Sequence, residues 1–539
     1  CIFMRKQTKL VAVLSAAALL AIGASMTSFA ATGWAEENGT WVYYDKDGYQ
    51  VTDAWKKSGN NWFYLNSDGE MATDTLIDDG DNTYYVNADG VMVANSWISV
   101  ENTDDDGEDA PEYYWYYFQN TGKAYKAGEK TSFKTINGKK YAFDEDGKML
   151  YGWVDENSQR LTEDGDWRTA TYYCGTQDDG AQVVGWSKIH VIDDAEEDED
   201  QDYWFYFKTN GKKVAGEDKT INSRKYTFAD TGKMESGWVD GQATSSVVSD
   251  PTATAAEYRY FNGDDDGSRQ KGWFKVVPTG DLNKDDHDDE NAKWYYAKND
   301  GSLYVNALKT INSKKYAFNE NGEMMSGVQA LKLSSTDSSL ILDHKKVDDE
   351  AKIKQYVDMQ DESNLGDMYG AWEVYYFGTG EDGAMKMGNQ TLDIDGDSYS
   401  FFFVKSGSDK GKGFGSATAN TQSLEKDRDG NYYPTNIFEK NAIYQHGKKV
   451  KADSDLKYEV VDAWGNKGSD MGTMQTPENA WKDTYLINTS GSIMKSKKNV
   501  KDQNEVYYCT DKYGRVIYTG YEKCGSTEAG NTHSAIAPH

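Results

Sequence analysis

At intervals of roughly twenty residues the chain returns to a short aromatic run followed by an Asn/Asp/Gly cluster, and such a chain does not fold as one ordinary globule. Thr32-Gly33-Trp34 leads through Trp41-Val42-Tyr43-Tyr44 to Gly48. Ala54-Trp55 leads through Trp62-Phe63-Tyr64-Leu65 to Gly69-Glu70-Met71, and a third unit runs through Tyr84-Tyr85 to Gly90-Val91-Met92. Each unit carries the signal of a β-hairpin. A lone hairpin is marginal in water, so successive hairpins must bury their faces on one another. The expected fold is therefore all-β, a β-hairpin repeat solenoid. Disorder is excluded by a 14% aromatic content.

A longer period lies over the short one. Lys134-Thr135-Ile136-Asn137 returns as Lys219-Thr220-Ile221-Asn222 and again as Lys309-Thr310-Ile311-Asn312, at spacings of 219 − 134 = 85 and 309 − 219 = 90. A group of several hairpins has itself been duplicated, which predicts one array over residues 31–390. Past Thr391 the period loosens, and residues 391–539 read as diverged hairpins and a C-terminal cap. Acidic stretches from Glu101 to Glu112, Asp193 to Asp202 and Asp281 to Glu290 read as solvated loops between strands.

The first thirty residues differ from the rest. Arg5, Lys6 and Lys9 precede an apolar run from Leu10 to Ile22, which ends near Ser28-Phe29-Ala30. That run is too short to span a bilayer as a helix and reads as a secretory signal peptide over 1–30, leaving a secreted chain with no membrane span after cleavage. Cleavage would take the net charge from −31 to −31 − 3 = −34, which argues against nucleic acid as a partner. Cys174, Cys509 and Cys524 are too few for a disulfide framework; Cys509 and Cys524 flank a hairpin and are placed to pair. Neither a His-Glu-x-x-His nor a Gly-x-Ser-x-Gly motif occurs, so no catalytic residues are assigned and the chain is read as a non-enzyme. No cofactor is expected. The Asn262 to Gly267 stretch has EF-hand-like oxygen spacing but Trp273 at the twelfth position, so no metal site is expected either.

Strand side chains alternate between two faces. Counting from the residue seven before each turn glycine as position zero, positions one and three are Val42/Tyr44, Phe63/Leu65, Tyr116/Phe118, Tyr141/Phe143, Phe205/Phe207, Tyr226/Phe228, Tyr295/Ala297 and Tyr316/Phe318. These are expected to form the core. Positions zero and two are Trp41/Tyr43, Trp62/Tyr64, Trp115/Tyr117, Trp204/Tyr206 and Trp294/Tyr296, but Lys140/Ala142, Lys225/Thr227 and Lys315/Ala317 in the Lys-Thr-Ile-Asn units. A face that tolerates both kinds of pair is a candidate ligand face. Its aromatic members can hold a quaternary ammonium, at about 0.5–2 kcal/mol per ring, or stack on a sugar.

Thr32-Gly33-Trp34 to Thr40-Trp41 to Asp47-Gly48 resembles the choline-binding, or cell-wall-binding, repeat of Gram-positive surface proteins. The Lys-Thr-Ile-Asn-Gly-Lys-Lys-Tyr unit is similar to the sister repeat of glucan-binding proteins and large clostridial toxins. The resemblance implies a choline-binding-module-like solenoid with aromatic cages between successive hairpins. Carried onto this sequence, it places one cage at Trp34, Trp41 and Tyr64 or Trp62 with Met71, and the next at Trp55, Trp62 and Tyr85 with Met92. Trp97/Trp115, Trp186/Trp204 and Trp273/Trp294 are further pairs, whose connections the acidic inserts lengthen. The partner implied is a cell-wall polymer, choline-substituted teichoic acid or a glucan-like glycan, and the location is the cell wall or surface. The alternative is an adhesin that contacts host or neighbouring proteins through its acidic loops.

Overall fold

A computed structural model describes residues 32–103, 110–196, 199–240, 255–358, 372–415, 424–426, 432–434, 438–439, 441–462, 465, 467 and 484–525. The expected signal peptide lies outside them. Among the described residues no helix is long and apolar enough to cross a membrane. The chain divides into two compact units, the first reaching to Gly237 with residues 262–268 added, the second formed by most of the later residues.

The first unit is a succession of antiparallel hairpins. Gly33–Glu37 pairs with Thr40–Tyr44, Ala54–Ser58 with Asn61–Leu65, Thr75–Asp79 with Asn82–Val86, and Ser96–Glu101 with Tyr113–Phe118. Later come Lys134–Ile136 with Lys139–Tyr141, Gly185–Ile192 with Asp200–Phe207, and Glu217–Ile221 with Arg224–Phe228. Tight connections such as Asn137-Gly138 hold both residues at positive φ, 50° and 85°, the twist a two-residue hairpin needs. The second unit continues the pattern with Gly272–Val276 on Lys293–Ala297 and Ala307–Ile311 on Lys314–Phe318. It then widens into a five-stranded sheet that includes Gly388–Ile394, Asp397–Phe403, Lys448–Lys449 and Ala442–Gln445.

Within each unit a recurring backbone hydrogen bond ties a hairpin to the one before it. After a hairpin closes, the next turn returns a residue whose N–H donates to the position-zero carbonyl of the preceding hairpin. Met71 donates to Trp41 at 2.7 Å, Met92 to Trp62 at 2.8 Å, Met149 to Trp115 at 2.7 Å, Met234 to Trp204 at 2.9 Å and Met324 to Trp294 at 2.7 Å. The following N–H turns back to its own hairpin, as Ala72 does to Tyr64 at 2.9 Å. Within each unit this repeated link realises the hairpin solenoid.

The face expected to be core is core. Of the residues at positions one and three, all but Tyr44 and Tyr141 are buried. Ala142 and Ala317 are buried as well, while Trp41, Trp115, Trp204 and Trp294 are half-buried and Trp62 is 40% exposed.

Residues 104–109 of the first acidic stretch and 197–198 of the second lie outside the described residues, and the described parts of the second and third stretches are more ordered than solvated loops. Strand pairing runs up to Ile192↔Asp200, and Asp193 is buried, accepting from Tyr203 Oη at 2.8 Å and pairing with Arg168 at 2.6 Å. In the third stretch Lys284–Asp288 forms a short helix capped by the Asn283 side chain. A paired acid can be buried, and Arg168 and Tyr203, outside the insert, supply the partners of Asp193. Cys174 is fully buried, which pushes its thiol up to about 12 and leaves it inert. Cys509 and Cys524 stand as free thiols in hydrogen-bond contact.

Phe205→Ala should cost about 3–5 kcal/mol, because it empties a fully buried aromatic site, whereas Trp62→Ala should cost less than about 1 kcal/mol. Urea unfolding of the two variants checks this; equal losses would mean that the faces do not differ.

Candidate aromatic binding site

The tryptophan that opens each unit sits between hairpins. Trp34 stands opposite Tyr43 in the strand register and packs edge-on against Tyr43 at 5.4 Å and Phe63 of the following hairpin at 5.3 Å. Trp55 does the same with Tyr64 and Tyr84, both at 5.1 Å. These rings are wedges, and the hairpin stacking rests on them.

The cages expected at the start of the chain are assembled differently. Tyr64 packs on Trp55 rather than Trp34, and Tyr84 takes the place expected for Tyr85. Tyr85 is buried against Phe118 at 6.0 Å and its hydroxyl donates to Asp74. Leu76 stands opposite Tyr85 where other units have tryptophan, and Tyr85 packs in one apolar cluster with Tyr116 and Phe118. Met71 and Met92 lie over the turn glycines of the next unit. A Cβ on Gly90 would stand 2.8 Å from Met71 Cε and one on Gly122 2.6 Å from Met92 Cε, so both methionines pack on backbone. Trp62 keeps an open ring, with Lys57 Nζ 5.8 Å from its centroid.

The pairs interrupted by inserts share one geometry. Trp97 and Trp115 have centroids 6.4 Å apart at 86°, Trp186 and Trp204 6.2 Å at 89°, and Trp273 and Trp294 6.3 Å at 84°. The inserts do not disturb them because they lengthen the hairpin at its far end, leaving Trp186↔Tyr206 and Lys188↔Trp204 in register. Each opening tryptophan also contacts two rings of the next hairpin, as Trp97 does with Tyr141 at 4.9 Å and Phe143 at 5.8 Å.

The three pairs differ in what meets the second tryptophan. Trp204 Nε1 donates to Asp265 at 3.3 Å, and Lys188 pairs with the same carboxylate at 3.2 Å. Trp294 Nε1 donates to Glu381 at 3.0 Å, with Lys275 at 2.6 Å. Those contacts hold both carboxyls below their ordinary range: the Trp204 and then the Lys188 hydrogen bond for Asp265, the Lys275 and then the Trp294 hydrogen bond for Glu381.

In the first pair Ser99 replaces the lysine, and Asp178 accepts instead from Tyr113 Oη at 2.5 Å. Trp115 Nε1 is buried with no hydrogen-bond partner among the described residues. Tyr113 adds a third ring, 5.8 Å from Trp115 at 86°. Trp97 and Tyr113 each stand perpendicular to Trp115, and Tyr113 Oη holds a carboxylate that no described lysine covers, an arrangement suited to a cationic group. The sequence reading missed Tyr113 and Asp178. Tyr113 was visible as the start of the longest aromatic run, Tyr113 to Phe118; Asp178 is 65 residues away from it and had no local signal.

An internal cation occupies a related space. Lys213 is buried, with Nζ 5.3 Å from the Trp153 ring, 5.9 Å from Phe205, and donating to the carbonyls of Trp167 at 2.5 Å and Arg168 at 3.3 Å.

Residues 53–97 match the choline-binding repeat, and residues 131–149 and 289–303 match the cell wall binding repeat. Glucosyltransferase-S of Streptococcus mutans serotype c is 28% identical over 346 residues, which cover 57% of this chain and 22% of that protein. The chain thus spans less than a quarter of that curated relative. Among solved structures, choline binding protein F of Streptococcus pneumoniae is 15% identical, with a TM-score of 0.31, covering 72% of this chain and 99% of that one. The modular autolysin LytC of the same organism, solved in complex with a synthetic peptidoglycan ligand, is 18% identical with a TM-score of 0.30, covering 60% and 59%.

Burial lowers the Lys213 pKa to about 7, while the unfolded chain holds that proton up to about 10.4. Between those values the unfolded state binds more protons, so this group's contribution to stability rises with pH across the window and is smallest below about 7. Lys213→Met should be more stable than the parent at pH 7, with the difference shrinking by pH 10. Urea midpoints at the two pH values measure it; a constant difference would remove the buried-lysine account.

Proposed function

We propose that this chain, which carries choline-binding and cell-wall-binding repeats, is an exported, non-catalytic protein that attaches to a cell-wall polymer by holding a quaternary ammonium such as choline between aromatic rings. The observation that carries the reading is the box of Trp97, Trp115 and Tyr113 beside Asp178. Two rings stand perpendicular to Trp115, and the exposed Asp178 carboxylate supplies an opposing charge beside Tyr113. Trp186/Trp204 and Trp273/Trp294 repeat two of the walls, but there a lysine already neutralises the carboxylate. They are the weaker sites in this reading. Trp34 and Trp55 serve stacking first, and the exposed Trp62 ring is the member of the early set freest to bind.

The full chain should be retained on a choline-substituted resin and released by free choline. Each of Trp115→Ala and Tyr113→Ala should weaken choline binding by about 2- to 30-fold, the range of one cation–π contact. Folding should be preserved by circular dichroism. A folded chain that passes through the resin overturns the choline reading; if the same chain is retained by a glucan column, a glycan is the ligand. Incubation with purified walls should release no soluble muropeptides, and release would overturn the non-catalytic part.

A further inference from the structure

A half-open pocket of about 240 Å³ lies in the second unit, against Asp397–Phe403 and Lys448–Lys449, apart from the aromatic face. In a chain of net charge −31 its walls carry Lys448, Lys449, Lys451 and Lys467. The acids present do not offset them all. Lys448 pairs with Asp358, and Lys467 pairs with Glu459 at 2.8 Å. Asp358 Oδ1 is buried and finds no donor among the described residues, so neither Lys449 nor Lys451 is drawn to it. Among the described residues no carboxylate pairs with Lys449 or Lys451, and the pocket keeps two uncompensated ammonium groups side by side. Burial and the neighbouring Lys451 charge lower the Lys449 pKa, a strain that a bound anion relieves.

The pocket is held in shape from behind. Buried Gln445 donates to the Asp358 carbonyl at 3.0 Å, and the buried His446 Nδ1 meets the Val357 carbonyl at 2.9 Å. Both contacts tie the segment ending at Asp358 to the strand that leads into Lys448. Ser398 and Ser400 add hydroxyls to the lining, groups that exchange hydrogen bonds with a hydroxylated ligand. The volume lies below the ~300–1,000 Å³ of sites for drug-sized ligands and suits one small polar unit.

We propose that this pocket is a second binding site, for an oxyanion, phosphate or carboxylate, carried on a sugar or polyol unit. It stands independently of choline recognition. The test titrates the full chain calorimetrically with glucose 6-phosphate, glucuronate and neutral methyl glucoside. One or both anions should bind and methyl glucoside should not; binding of the phosphate alone or the carboxylate alone assigns the oxyanion. Lys451→Ala, at an exposed position, should weaken binding by about tenfold, and adding Lys449→Met should weaken it further. Saturating choline and the Trp115→Ala variant should leave it unchanged. The proposal is overturned if neither anion binds, if methyl glucoside binds as tightly as the anions, if Lys451→Ala binds as the parent does, or if choline competes.

Discussion

The backbone hydrogen bond from each returning turn to the position-zero carbonyl of the preceding hairpin is the constraint on which the rest of the structure depends. A two-stranded hairpin has two open edges and one small apolar face, and neither survives alone in water. The link from Met71 to Trp41, repeated from Met92 to Trp62 and from Met149 to Trp115, uses part of an edge and sets the spacing at which the next aromatic wedge meets the stack. It uses only main-chain atoms. Position zero can therefore be tryptophan in one unit, Thr83 in another and Lys140 in a third, each accepting the same bond. The structural work at that position belongs to the carbonyl, and the side chain is free for another use.

This separation explains why so much of the architecture was legible in the sequence. Parity along each strand distinguished Phe63, Phe205 and Phe318 from Trp62, Trp204 and Trp294, because a core that continues from hairpin to hairpin must recruit the same face each time. Where that periodic logic was interrupted, the reading failed. Tyr85 has the aromatic identity of a cage residue, yet it faces Leu76 across the strand and is buried against Phe118 of the next hairpin, which a count from the turn glycine does not consult. The acidic stretches were judged by composition alone. Composition does not reveal that Arg168 and Tyr203 wait for Asp193.

The candidate site shows the same boundary between what is local and what is not. The perpendicular tryptophan pairs recur because opening tryptophan and second tryptophan lie on one face of one hairpin, a relation fixed by strand register. What distinguishes the pairs comes from farther along the chain. Asp265 reaches Trp204 across 61 residues and Glu381 reaches Trp294 across 87, and the decision between a covered and an uncovered carboxylate rests on one cross-strand residue, Lys188 or Lys275 against Ser99. The duplicated super-unit has thus kept its scaffold and varied its electrostatics.

Net charge is a poor guide to what such a chain binds. At physiological ionic strength the Debye length is about 8 Å, so exposed acids on one hairpin are largely screened from a site several hairpins away. Recognition is decided by the few charges within that distance. At the proposed site around Trp97, Trp115 and Tyr113 the nearby charge is Asp178; at the pocket beside Lys448 it is Lys449 and Lys451, which pair with no carboxylate among the described residues. The two proposed sites, one for a cation and one for an anion, are therefore compatible with a single chain of net charge −31. Repetition makes this possible, because a stack held together by backbone links lets each repeat change its side-chain charges without disturbing the fold of the next.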